Sequence, residues 1–299
     1  MDKNIIVVYY FTMKLRCPFT VKSYHDPDVR ILIMMRRMID SWHYDNINPP
    51  YWRFYWNSAP GAMIHYKGDT IKLTPKMFVM IPPNTIVTQR MVGPPISHFY
   101  AHFIAKAPFS RLHSKIYTFE AKPELLASIQ ALPVNVSDFL TADLNTTMAV
   151  LGVIHCLLAK IPAAELAQVM VSSEFEKSLT FIESHIGEAL SNQQIAQHMG
   201  TSVNTMLRKY QRELGMSPQT YLRRKRMELA CALLHERQLS IEQIAEATGF
   251  CDRYYFTKSF KKFTGATPAR LHGVGRERRL RGGRDEPPRR RQGQFGYTG

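Results

Sequence analysis

The chain has 299 residues, 45% of them hydrophobic, enough for two domains with separate cores. Its formal charge of +15 favours a polyanionic partner. The excess is shared evenly by residues 1–174, 175–274 and 275–299, so charge alone does not locate a binding face. Four scattered cysteines, Cys17, Cys156, Cys231 and Cys251, contain no Cys-x-x-Cys pair. That argues against a disulfide scaffold or zinc site and fits reduced thiols in a cytoplasm.

In chain order, Ile5–Phe11 is too short to cross a bilayer and reads as a strand, with no signal-peptide cleavage pattern behind it. Ile31–Met38 is apolar but interrupted by Arg36 and Arg37, and Asn48-Pro49-Pro50 is a break. From Tyr51 the text turns β-like. Tyr51–Trp56, Ala62–Tyr66, Thr70–Leu73, Met77–Ile81 and Ile96–Ile104 are short aromatic or branched runs separated by Pro- and Gly-containing turns. Such a series predicts a sandwich or barrel. Pro123–Leu132 and Asp143–Ile161 read as helices. In the second, Leu144, Met148, Leu151, Val153, Ile154, Leu157, Leu158 and Ile161 recur at three- and four-residue spacing and leave apolar surface for a second chain.

Pro162–Ser173 reads as a linker, and Phe175, Leu179, Ile182 and Ile186 then form the first helical stripe of another domain. That domain states one pattern twice. Ile195-Ala196, Gly200, Ser202, Met206, Tyr210, Gly215, Ser217 and Pro218 are matched by Ile244-Ala245, Gly249, Asp252, Phe256, Phe260, Gly265, Thr267 and Pro268. Each pass predicts a helix, a tight turn at glycine, an N-cap at Ser202 or Asp252, and a second helix with one buried face. This is the helix-turn-helix plan, whose second helix enters the DNA major groove. A helix over Gln219–Glu236 joins the two passes. After Leu271 the text is Arg-rich with almost no apolar content, so residues 274–299 read as a basic disordered tail.

The stretch from Ser191 to Leu271 resembles the AraC family of transcription regulators. The resemblance implies two helix-turn-helix units bridged by a long helix and double-stranded DNA as partner. More loosely, Trp52–Ile104 looks like the cupin barrel that AraC-type sugar regulators carry in front of that domain. The expected fold is therefore α+β and multidomain: a cupin-like barrel with two helices (1–161), a linker (162–173), an all-α double helix-turn-helix domain (174–273) and the tail. Enzymatic cupins hold a metal, but no His-x-His-x-x-x-Glu occurs and Val87 stands where the later motif would put its histidine. No metal, cofactor or catalytic residue is expected. In the resembled family the paired helices dimerise the protein, which makes a homodimer the expectation, with RNA polymerase a further candidate partner and no membrane.

On the first recognition helix, Val203, Met206, Tyr210 and Leu214 are expected inward. Asn204, Leu207, Arg208 and Gln211 then face the groove, with Lys209 and Arg212 suited to phosphates. On the second, Tyr255, Phe256, Phe260 and Phe263 are expected inward, and Arg253, Tyr254, Thr257, Lys258 and Lys261 outward; Arg253, Thr257 and Lys258 match DNA-contacting positions of the family. Arg223-Arg224-Lys225-Arg226 divide between phosphates and ion pairs, an assignment the sequence leaves open. For the effector, Ile96–Ile104 alternates, with His98, Tyr100 and His102 on one face and Phe99 and Phe103 on the other. The sugar regulators place a histidine and an aromatic at the positions of His98 and Tyr100. With Trp52 and Trp56 as a stacking surface and Gln89 as a polar contact, these imply a saccharide, with a phenolic or other small metabolite next. Two other readings compete with a regulator. One is a cupin enzyme fused to a helical domain; the other is a DNA-repair methyltransferase using Cys251.

Overall fold

A computed structural model describes residues 28–134, 143–236 and 238–269. The expected strand Ile5–Phe11 and the expected disordered tail lie outside the described residues. Nine strands and nine α-helices follow in order: β1 Arg30–Ile39, β2 Tyr44–Ile47, β3 Trp52–Asn57, β4 Ala62–Tyr66, β5 Asp69–Lys72, β6 Met77–Ile81, β7 Val87–Met91, β8 Ile96–Ile104, β9 Tyr117–Glu120, then α1 Pro123–Gln130, α2 Leu144–Leu158, α3 Ala163–Gln168, α4 Ser173–Ser184, α5 Asn192–His198, α6 Val203–Leu214, α7 Pro218–Glu236, α8 Ile241–Ala247 and α9 Arg253–Thr264, all counted among the described residues. The expected linker therefore contains the short helix α3.

The strands form two antiparallel sheets, one ordered β1-β8-β3-β6-β9 and the other β2-β7-β4-β5. This corrects the closed barrel of the sequence reading: each sheet keeps two edges, and the pair packs as layers. Strands β1, β2, β7 and β9 were not read from the sequence. In β1 the pair Arg36-Arg37 interrupts the apolar text, yet Arg36 donates to the carbonyls of Gln130 (2.6 Å) and Leu132 (3.3 Å) and to Ser97 Oγ (3.0 Å). A cation at the C-terminal end of α1 satisfies carbonyls the helix leaves open, and this one ties α1 to the sheet.

The five-stranded sheet has two different faces. One carries Trp52, Phe54, Trp56, Phe78, Phe99 and Phe103 and is covered by α1 and α2 through Ile129, Val150, Val153, Ile154, Leu157 and Leu158. The other presents Tyr55, Val79 and Ile96 to Ile64, Val87 and Met91 of the second sheet. β3 is buried along its whole length because both faces are covered.

The helical region has two cores, one for each helix-turn-helix unit. Phe175, Leu179, Ile195, Met206 and Tyr210 pack with the N-terminal part of α7. Met227, Cys231, Leu234, Ile244, Phe256 and Phe260 pack around its C-terminal part. Tyr51, Leu32 and Ile104 of the sheet domain join this second core. The sheet domain also reaches the helices through Arg111, which donates to both carboxylate oxygens of Glu176 at 2.7 and 2.6 Å, and through Asn48 N, which donates to Thr264 O at 3.3 Å.

Candidate nucleic-acid interface and effector pocket

Both helix-turn-helix units are built by the same local chemistry. Ser191 caps α5 and Ser240 caps α8, each in a reciprocal box with the glutamine three residues on, Gln194 and Gln243. Ser202 accepts from Thr205 N at 3.2 Å at the start of α6, and Asp252 accepts from Tyr255 N at 2.7 Å at the start of α9. The turns pass through Gly200 (φ 60°) and Gly249 (φ 70°). At Gly249 the constraint is double. A Cβ there would stand 2.5 Å from Arg226 Nη2 and 3.0 Å from the Gly187 carbonyl, so the site needs glycine for space as well as for left-handed backbone.

On α6, Met206 and Tyr210 are buried, Asn204, Arg208, Gln211 and Arg212 are exposed, and Leu207 is half-buried against the first helical core. Asn204, Arg208 and Gln211 share one outward face at i, i+4 and i+7. Leu207 is turned partly into the core, because an apolar side chain at the edge of the stripe gains from joining it. Lys209, expected at phosphates, is half-buried and pairs with the exposed Glu174 at 3.3 Å. Arg212 pairs with Glu213 at 2.8 Å and stays exposed. On α9, Tyr254 (86% exposed), Lys258 and Lys261 face out with half-buried Thr257 beside them. Arg253, also exposed, pairs with Glu242. Tyr255 is a correction: expected inward, it is 51% exposed, because Phe250 and Phe256 already fill the space beneath it.

The basic run of α7 resolves into distinct tasks. Lys225 lies 3.1 Å from both Glu183 and Glu228. Arg226 donates through Nε to Ile186 O (2.9 Å) and through Nη2 to Glu188 O (2.5 Å), with its guanidinium over the Phe250 ring. It thereby links the α4–α5 connection to the turn of the second unit. Arg223 is the exposed member. Cys251 Sγ donates to Asp252 Oδ2 at 3.4 Å.

A second feature is a cavity of ≈ 570 Å³ between the sheet domain and the helices. Its walls come from β1, Ser41–Asp45, Ile47, β3, β7 and β8, and on the far side from His235 of α7 and Thr264–Ala266 at the end of α9. His98, Tyr100 and Gln89, expected at the effector, are on this wall. Trp52 and Trp56 are not. In the β3–β8 register Trp52 pairs with Phe103 and Trp56 with Phe99, whereas Tyr55 pairs with Tyr100 and Asn57 with His98. Partners across an antiparallel pair share a face, so both tryptophans point into the helix-covered core, where their indoles donate to Phe109 O (3.3 Å) and Pro75 O (3.0 Å). The residues sequence reasoning missed are the ones that alternate with them, Arg53 and Tyr55.

The polar chemistry of this wall is unusual for a buried surface. His98 Nδ1 shares a hydrogen bond of 2.6 Å with Asn57 Oδ1. Burial, with help from the Arg37 charge, lowers its pKa to about 3, so the ring is neutral. His102 is held well below the usual histidine range, first by burial and then by His235, Arg53 and His98. Gln89 Nε2 donates to the Tyr55 hydroxyl at 3.0 Å. Arg53 is 1% exposed and donates from Nη2 to Thr85 O at 2.6 Å, but its Nε and Nη1 have no hydrogen-bond partner among the described residues. Among the described residues no group of three or more His, Cys, Asp or Glu could hold a metal ion, and no helix is long and apolar enough to cross a membrane.

Residues 195–272 match the family model described as a helix-turn-helix domain. The transcriptional activator RhaS of Escherichia fergusonii is 33% identical over 107 residues, 36% of this chain but only 35% of that protein's length. An uncharacterised HTH-type transcriptional regulator, YobQ of Bacillus subtilis, is 25% identical over 202 residues, covering 68% of this chain and 78% of its own. Among solved structures, ToxT from Vibrio cholerae in complex with an arylbutenoic acid aligns over 83% of this chain and 99% of its own with a TM-score of 0.57 at 14% identity. ToxT bound to an unsaturated fatty acid aligns with a TM-score of 0.52. At that identity the likeness concerns the fold: an antiparallel, sheet-rich domain followed by a helical one. The paired units, their caps and glycines, and these matches lead to one assignment: the helical domain of this chain is an AraC-type helix-turn-helix domain, similar to that of HTH-type transcriptional regulators.

Proposed function

We propose that the protein is a sequence-specific, DNA-binding transcription regulator that responds to a small molecule held between its sheet domain and its helical domain. The observation that carries the DNA half is the pair of outward stripes, Asn204/Arg208/Gln211 on α6 and Tyr254/Thr257/Lys258/Lys261 on α9, each on the second helix of a helix-turn-helix unit. Arg208 has the two-pronged donor geometry that reads guanine O6 and N7, and Asn204 suits adenine. Arg212, Arg223 and Arg253 are exposed cations suited to phosphates. Leu207 contributes a methyl contact from the edge of the stripe. The protein acts in the cytoplasm as a homodimer through α2, whose Leu144 (75% exposed) and Met148 (58%) leave apolar surface uncovered. RNA polymerase enters as a partner only through the family resemblance.

The effector half rests on the cavity having one wall from each domain. A ligand there touches the sheet and, at Thr264–Ala266, the end of the second recognition helix, so occupancy can bias the helix's position. A saccharide keeps the support of Gln89, His98 and Tyr100 and loses the stacking surface of Trp52 and Trp56.

Selection from random DNA tests the reading. Wild type should return a defined site, and Arg208→Ala should lose about 1–3 kcal/mol of specific binding with relaxed preference at one base pair. Recovery of the same site at the same strength by the variant would remove α6 from the interface.

A further inference from the structure

Arg111 of the sheet domain grips Glu176 in the first turn of α4, and α4 packs on the first recognition helix. From this juxtaposition we infer that Arg111 is a positioning residue for DNA recognition: through Glu176 and α4 it sets the angle of α6 against α9. This role rests on the DNA-binding reading above and adds to it a residue outside the helical domain.

The two helix-turn-helix units are attached to the sheet domain by different means. Tyr51, Leu32 and Ile104 pack into the core of the second unit, and Asn48 N donates to Thr264 O. The core of the first unit contains no residue of the sheet domain among the described residues. Where the first unit faces the sheet domain there is a cavity of ≈ 240 Å³, with Ser110–His113 on one side and Glu213, Tyr221 and Arg224 on the other. The tie across this boundary is polar: Arg111 Nη2 lies 2.7 and 2.6 Å from the two carboxylate oxygens of Glu176. Arg226 meanwhile joins the two units to each other. The contacts therefore close a ring, from sheet domain to second unit, from second unit to first, and from first unit back to the sheet domain. Such a ring holds its members at fixed angles, and opening the Arg111–Glu176 link leaves the first unit hinged on α7.

Each link of the path is local. Arg111 ends the short 3-10 turn Phe109–Arg111, and Phe109 O accepts from Trp52 Nε1 at 3.3 Å, so the guanidinium is based on the sheet core. Beyond Glu176, the Phe175 ring meets Tyr210 of α6 edge-on at 4.7 Å, the Tyr210 hydroxyl lies 3.2 Å from Ser178 Oγ, and Lys209 pairs with Glu174. Arg208, the candidate guanine reader, directly precedes Lys209 and Tyr210. The Arg111 side chain is only 10% exposed, so solvent screens its charge less than that of a surface cation. Glu183 and Glu228 are each held by Lys225 at 3.1 Å, and Tyr221 also donates to Glu183 at 2.5 Å, which leaves Glu176 as the carboxylate for Arg111. Removing Glu176 strands a buried charge, and that costs more than losing an exposed ion pair.

The test is footprinting of the full chain on its selected DNA site, with hydrogen exchange on the free protein. Arg208→Ala and Lys258→Ala first assign the protected patches to α6 and α9. Arg111→Gln and Glu176→Gln should each weaken the α6 patch by about ten-fold in protein concentration, the scale of a lost charged hydrogen bond, with the α9 patch held within about two-fold. Backbone exchange in α4 should quicken in both variants while that in α8 stays as in wild type. Arg111→Lys should recover part of the α6 patch. The charge swap, Arg111→Glu with Glu176→Arg, should recover most of it, which a merely structural role for either side chain would not allow. Should Arg111→Gln fail to fold, Glu176→Gln, at a half-exposed position, decides the matter. An unchanged α6 patch, equal loss at both patches, or a folded charge swap without recovery would each overturn the inference. An Arg208→Ala footprint identical to wild type would instead overturn the α6 interface itself, and this role with it.

Discussion

Gly249→Ala tests how the two helix-turn-helix units are held together. Two costs add at this position. A non-glycine residue at φ 70° pays about 1 kcal/mol for left-handed backbone. The new methyl would also stand 2.5 Å from Arg226 Nη2 and 2.8 Å from Cζ, so the guanidinium must leave. It then gives up its hydrogen bonds to Ile186 O and Glu188 O, and losing charged hydrogen bonds of this kind costs about 1.5–3 kcal/mol. The sum is roughly 3 kcal/mol. Gly200→Ala is the control, since its φ is 60° and nothing lies within 4 Å of the added Cβ; it should cost about 1 kcal/mol. Urea unfolding of the helical domain within the full chain measures both. A double-mutant cycle with Arg226→Ala isolates the contact, and should give a coupling of about 2 kcal/mol because the guanidinium is already gone. Equal losses for the two glycines, or a cycle that closes to zero, would refute the claim that Arg226 couples the units through Gly249.

Footprinting of one monomer on its selected site should show two protected patches about one helical turn apart, since α6 and α9 sit on one domain joined by α7; a single short patch would contradict this. Leu144→Glu or Met148→Glu on the exposed face of α2 should convert dimers to monomers in sedimentation. Leu158→Glu is not a usable probe, because Leu158 is only 2% exposed and belongs to the core. A wild type already monomeric at micromolar concentration would remove the α2 interface. The sheet domain should lose stability as pH falls below about 6.5: His98, and His102 with it, take up protons more readily unfolded than folded, so the unfolded state gains protons first. Each contributes a slope of up to about 1.4 kcal/mol per pH unit, lost progressively toward pH 3 for His98. His98→Gln should flatten the acid limb of urea midpoints, and an unchanged limb would exclude that ring as its source.

The helical domain was legible in the sequence because its signals are local. Caps at Ser202 and Asp252, turn glycines at 200 and 249, and apolar pairs at i and i+4 each act within a few residues, and their repetition at fixed spacing made the tandem plain. The outward stripe followed from helical period alone, except at Leu207, Lys209 and Tyr255, where a neighbouring helix decides whether a side chain at the edge of the stripe is covered. In the sheet domain, alternation said which residues of β8 share a face but not which face meets the cavity. That depends on register against β3. A shift of one residue exchanges Trp52 and Trp56 for Arg53 and Tyr55; Trp52, Phe54 and Trp56 alternate with Arg53, Tyr55 and Asn57, but both faces of β3 are buried, so the alternation does not say which face meets helices and which the cavity. The cavity itself could not be read from the text at all. It exists because His235 and Thr264–Ala266, more than a hundred residues from the strands they face, are brought against them by packing between domains. The chain alone determined what its DNA-binding helices are; tertiary structure decided that a buried arginine, and not a pair of tryptophans, faces the pocket.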